Sequence, residues 1–72
     1  PDGRIVLNLA GEAELVKLPG VGAKRAQAIL EVRKRLGRFR RVEDLLRVKG
    51  IGRKMLERIR PMVVLDPPRE NA

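Results

Sequence analysis

The feature that most restricts this chain is a repeat: residues 14–24 (ELVKLPGVGAK) return thirty positions later as residues 44–54 (DLLRVKGIGRK). Leu15/Leu45, Gly20/Gly50, Gly22/Gly52 and Lys24/Lys54 are identical, and five of the other seven pairs are conservative. Ile29/Ile59 carries the match further downstream. Seventy-two residues built on two copies of one short unit leave room for a single shared core. One domain over residues 1–72 is expected, with its core over about 4–65 and loose tails at 1–3 and 66–72.

Each copy reads as a short helix, a tight hairpin and a second helix. Apolar spacing predicts leading helices over 12–17 and 42–48, from Leu15 and Leu18, then Val42, Leu45, Leu46 and Val48. The following helices are predicted over 23–36 and 53–60. Ala26, Ile29, Val32 and Leu36 line one face of the first; Met55, Leu56 and Ile59 mark the second. Gly37 is a stop signal, and Pro61 disfavours helical geometry at the residue before it. Residues 4–9 read as extended and apolar enough to lie on the core. Phe39, the only aromatic, reads as a core plug between the copies. The fold class is all-α, a tandem helix-hairpin-helix arrangement of four to five short helices.

The hairpins carry the chemistry. Gly20 and Gly50 follow a helix directly and can end it with positive φ, while Val21 and Ile51 can turn inward as anchors. Gly22 and Gly52 leave the backbone bare where the next helix presents N–H groups and a partial positive charge. Such an end is a phosphate site. The charges agree: the leading helices open on Glu12, Glu14, Glu43 and Asp44, whereas the helices after the hairpins open on Lys24, Arg25, Arg53 and Lys54. Cations there oppose the dipole unless a phosphate docks between them. A second basic run holds Arg33, Lys34, Arg35, Arg38, Arg40 and Arg41, either a solvated face or a wider footprint.

Seventeen Lys and Arg against nine Asp and Glu give a formal charge of +8, which points to a polyanion: nucleic acid first, an anionic membrane surface second. The chain has no Cys and no His, so zinc sites and thiol or imidazole catalysis lack their groups. One aromatic makes no stacking platform for splayed bases. Clustered carboxylates for metal-assisted phosphodiester chemistry are missing from the pattern, so no enzyme, cofactor, metal or small-molecule substrate is expected.

The strings Val6-Leu7-Asn8-Leu9-Ala10, Glu14-Leu15, Leu18-Pro19-Gly20-Val21-Gly22, Ala26, Ile29, Arg33, Gly37-Arg38-Phe39, Val42-Glu43-Asp44-Leu45 and Val48-Lys49-Gly50-Ile51-Gly52 resemble a ComEA-type competence DNA receptor domain, over roughly residues 4–65. The resemblance implies a bacterial domain that binds double-stranded DNA without regard to sequence during natural uptake. It also implies other DNA-uptake proteins as partners and a place in the cell envelope, periplasmic or extracellular, either tethered through a segment outside this chain or secreted; the isolated domain is expected to be a monomer. The DNA-contacting positions it carries over are Gly20, Val21, Gly22 and Lys24, with Gly50, Ile51, Gly52 and Lys54; Arg25 and Arg53 join them on charge. Some helix-hairpin-helix proteins hold a monovalent cation on hairpin carbonyls, here those of Val16, Leu18 and Val21 or of Leu46, Val48 and Ile51. Gly11 and Arg41 stand where the family often has a Ser or Thr cap. A protein-interaction module, a DNA-repair accessory module and an enzyme fragment remain as competing readings.

Overall fold

The computed structural model describes residues 3–68. In chain order it contains strand β1 (Ile5–Val6), helix α1 (Glu12–Leu15), helix α2 (Ala23–Leu36), a 3-10 helix (Val42–Arg47), helix α3 (Arg53–Ile59), a 3-10 turn (Arg60–Met62) and strand β2 (Val63–Val64). The helical reading of the chain holds. Gly37 ends α2 with φ +85°, and Pro61 sits in the 3-10 turn that follows α3.

The repeat in sequence is a repeat in packing. Five equivalent pairs enter one core: Leu15 with Leu45, Leu18 with Val48, Val21 with Ile51, Ala26 with Leu56, and Ile29 with Ile59. Burying each large aliphatic chain contributes about 1.5–3 kcal/mol, so neither copy alone has enough to hold itself together. Phe39 is fully buried in the same core, as a plug between copies should be.

Helix α2 is long because its sequence is rich in Ala, Lys, Arg, Leu and Gln, all good helix formers. Its buried face is Ala26, Ile29 and Val32, and its last turn carries Arg33, Lys34 and Arg35, favourably placed at the negative end of the dipole. The second leading segment winds more tightly than the first, as a 3-10 helix. Asp44, buried within it, accepts the N–H of Arg40 at 3.0 Å. Glu14, its equivalent, accepts the N–H of Gly11 at 3.4 Å. Acidic side chains thus reach back over the start of each leading segment, while the N–H groups that a Ser or Thr cap would receive take no side-chain cap at Gly11 or Arg41.

The sequence reading missed a two-stranded parallel sheet, which pairs Ile5 with Val63 and Val6 with Val64. The N–H of Leu7 donates to Val64 O at 2.8 Å and that of Asn8 to Leu65 O at 3.1 Å. The extended reading of residues 4–9 therefore holds only to Val6. Beyond it the chain turns, with the N–H groups of Leu9 and Ala10 both donating to Val6 O, and Leu9 is left 66% exposed. The expected tail from residue 66 is also corrected at its start. Asp66 accepts from Asn8 at 3.0 Å and from Arg38 at 2.7 Å, which fixes it to the body. Of the other expected tail positions, 1–2 and 69–72 lie outside the described residues.

Candidate nucleic-acid interface

The two hairpins are built alike, bond for bond. In each, the leading segment closes with Leu18 N–H on Leu15 O, or Val48 N–H on Leu45 O, both at 3.0 Å. The turn closes with Val21 N–H on Leu18 O, or Ile51 N–H on Val48 O, both at 3.1 Å. Gly20 and Gly50 take φ +75° and +97°, the region that side-chain-bearing residues avoid. Val21 and Ile51 are 4% and 5% exposed, so these anchors point into the core. They can offer a ligand main-chain groups only.

Gly22 and Gly52 have a different reason to be glycine. Both are extended, φ −93° and −103°, where any residue fits, and a Cβ built on either would meet nothing within 4 Å. Neither fold nor packing requires glycine here; what its absence of a side chain secures is open access to the backbone. Each is the N-cap of the next helix and offers no side-chain cap. The first helical bonds are Ala26 N–H on Gly22 O and Leu56 N–H on Gly52 O, both at 2.9 Å. The N–H groups just ahead of them lie outside the helical ladder and point along the axis.

No acid stands in the first turn of α2 or α3. Lys24, Arg53 and Lys54 are exposed, and among the described residues none makes an ion pair. Arg25 differs from them. Its Nε donates to Gly50 O at 3.1 Å and its Nη1 to Gly20 O at 3.3 Å, so the side chain lies across both hairpins instead of extending outward. A shallow cleft of about 330 Å³ opens beside it, lined by Pro19, Gly20, Arg25, Lys54, Met55 and Arg58.

Two cations the sequence reading passed over belong to this surface. Arg58 lines the cleft because α3 of the second copy packs against the hairpin of the first, a placement only the fold reveals. Lys49 is exposed beside Gly50, where the other copy has Pro19; that mismatch within the repeat was the available signal.

The basic run 33–41 does not act as one patch. Arg33 Nη1 donates to Leu7 O at 2.9 Å and to Ala10 O at 2.7 Å, holding the turn after β1. Arg38 is paired with Asp66 at 2.7 Å, and Arg41 lies 3.7 Å from Asp44. Lys34, Arg35 and Arg40 remain as exposed cations.

The carbonyls a cation could use include those of Leu18 and Val48. Each accepts one hairpin N–H and keeps a second lone pair. Three of the acids are committed elsewhere: Glu43 to Arg60 at 3.0 Å, Asp66 to Arg38, and Asp44 to the Arg40 main chain. Among the described residues no three acids gather as a metal group.

The helix-hairpin-helix motif family matches residues 2–64. The chain is 46% identical over 57 residues to endonuclease/exonuclease/phosphatase family domain-containing protein 1 of Xenopus laevis, covering 79% of this chain and 10% of that protein. It is 40% identical over 62 residues to an uncharacterized protein of Haemophilus influenzae, covering 85% of this chain and 55% of that one. To ComE operon protein 1 of Bacillus subtilis it is 39% identical over 59 residues, 82% of this chain and 29% of that protein. The chain thus spans only about a tenth of the vertebrate relative and about half of the Haemophilus one.

Proposed function

This chain belongs to the helix-hairpin-helix motif family, and from that premise we propose that it binds double-stranded DNA through backbone phosphates, without reading sequence and without catalysing a reaction. The observation that carries the proposal is the doubled hairpin. Two bare helix N-termini, each preceded by a glycine open to solvent, are matched bond for bond and ringed by Lys24, Lys49, Arg53, Lys54 and Arg58. Main-chain N–H groups at a helix N-terminus receive a phosphate oxygen directly, and the surrounding cations add attraction along the strand. Phosphate contacts position a protein on DNA but carry no base information. The groups that could receive DNA here are backbone amides and flexible cations.

The biological setting we propose is DNA uptake in bacterial competence, as a receptor in the cell envelope, periplasmic or extracellular. Support comes from the 39% identity to ComE operon protein 1 of Bacillus subtilis. In that setting other uptake proteins receive the DNA the domain captures, and a segment outside this chain supplies the tether. No helix among the described residues is long and apolar enough to cross a membrane.

The test is a gel shift with several duplexes of unrelated sequence at one salt concentration. Similar affinities are expected for all of them. Strong preference for one sequence overturns the reading.

One observation favours a second reading, a protein-interaction module. The apolar residues are not all consumed by the core: Val16 and Met62 are 39% and 40% exposed, and an open groove of about 1200 Å³ runs past Ile5, Val6, Met62 and Val64. Sedimentation of the isolated domain separates the two, since the DNA-binding reading expects a monomer.

A further inference from the structure

We propose that Arg25 is a positioning residue that fixes the spacing of the two hairpins and so makes the domain prefer duplex over single-stranded DNA; the inference rests on the DNA-binding reading above. Gly20 and Gly50 occupy the same position in the two copies. One guanidinium joins their carbonyls, at 3.3 Å and 3.1 Å. It is planar and permanently charged, and it holds two acceptors in a fixed relation that a flexible ammonium cannot reproduce.

The repeat supplies an internal control. The equivalent of Arg25 is Met55, and the two side chains pack crosswise: a Cβ on Gly50 would come within 2.9 Å of Arg25 Nε, and one on Gly20 within 2.8 Å of Met55 Cε. A methionine therefore also covers the opposite glycine. What arginine adds is the polar tie between the hairpins, and only one of the two positions has it.

That tie matters differently for different nucleic acids. A duplex is stiff, with a persistence length of about 50 nm, and presents its phosphates at set separations. Two docking points gain from each other on such a ligand only when their own separation is held. A single strand bends to suit whatever separation it meets. Loosening the hairpins lowers the effective concentration of the second contact for duplex far more than for single strand. With Nε and Nη1 already donating to carbonyls, Arg25 is better suited to this task than to reaching for phosphate itself.

The experiment compares the parent domain with R25M, which installs the residue of the other copy, and R25K, which keeps the charge but cannot span both carbonyls. K24M serves as a neighbouring charge-loss control. Affinities are measured for one duplex and for its single strand. In parallel, nitroxide labels on G22C and G52C report the distance between hairpins without DNA; the chain has no native Cys, and both sites are open to solvent. R25M and R25K are expected to broaden the distance distribution. Both should weaken duplex binding by about tenfold and single-strand binding by less than about twofold, a modest part of what linked contacts can contribute. K24M should weaken both ligands alike and leave the distance unchanged. Equal losses on both DNAs in R25M, full duplex affinity in R25K and an unaltered distance would make Arg25 an ordinary phosphate contact and overturn the proposal. If the parent binds neither DNA, the underlying reading and the duplex preference fall together. A broadened distance in R25M would then still identify a brace.

Discussion

The side-chain amide of Asn8 and the main chain of Phe39 exchange two hydrogen bonds: Nδ2 donates to Phe39 O at 2.9 Å, and Phe39 N–H donates to Oδ1 at 2.7 Å. A side chain thereby stands in for a strand partner, and it joins the turn after β1 to the connector between the copies. The ring of Phe39 is fully buried, so the connector cannot move away to find water without withdrawing it from the core.

Asn8→Ala is accordingly expected to destabilise the domain by about 2–4 kcal/mol, since it strands a main-chain donor and acceptor together. Urea denaturation checks this. A loss below about 0.5 kcal/mol, the range of neutral surface changes, would mean that water replaces the amide without penalty.

Binding to duplex DNA is expected to neutralise roughly 4–6 phosphates, giving a log–log salt slope near −4 to −5. Titrations at four or more salt concentrations measure it. A nearly flat dependence would remove the electrostatic contribution of Lys24, Lys49, Arg53, Lys54 and Arg58.

Lys24→Glu and Lys54→Glu should each weaken DNA binding while leaving stability unchanged or raised by about 0.3–1 kcal/mol, because an acid suits a helix N-terminus. Thermal midpoint and affinity are best taken on the same samples. Two unfolded variants would show these lysines to be structural.

The two glycines of each hairpin should separate cleanly. Gly22→Val and Gly52→Val each lower DNA affinity, the double variant most, at a stability cost of no more than about 1 kcal/mol at an N-cap. Gly20→Ala and Gly50→Ala instead cost stability first, by roughly 1 kcal/mol or more, because they force a side chain onto φ +75° and +97°; Gly50→Ala also crowds Arg25 Nε, so only Gly20→Ala is expected to keep DNA affinity. Circular dichroism melts alongside binding curves distinguish the classes.

Acid should loosen the second copy first. The Arg40 N–H holds the Asp44 carboxylate below its ordinary 3.8; burial opposes this, and Arg41 assists through its N–H and its charge. Glu43 is also lowered, chiefly by its own main-chain N–H and then by Arg60. A depressed carboxyl stabilises the fold above its unfolded value and loses that contribution as pH falls through the folded one. Stability is therefore expected to decline below about pH 4, and Asp44→Asn should flatten that decline in urea midpoints measured across the range.

The sequence made the second helices and hairpins legible for concrete reasons. Residues 23–36 combine strong helix formers with a glycine stop, and Gly20 and Gly50 sit where only positive φ closes the turn. The strands were invisible because two-residue segments have no period to read, and their pairing joins positions 58 apart. The bond between Asn8 and Phe39 spans 31 positions and leaves no local trace. Arg25 was readable as a cation at a helix start. Its link to both hairpins depends on the crosswise packing of the copies, and only the fold shows that.

The parallel pairing of β1 with β2 also decides how the domain answers to force. Strands that run the same way, one near each end of the described chain, are loaded lengthwise when those ends are pulled apart. Their hydrogen bonds, including Leu7 N–H on Val64 O and Asn8 N–H on Leu65 O, then share the strain together rather than opening one after another. The strand pair is a shear clamp, so tension drawn through the ends meets the resistance of the whole clamp before it can reach either hairpin.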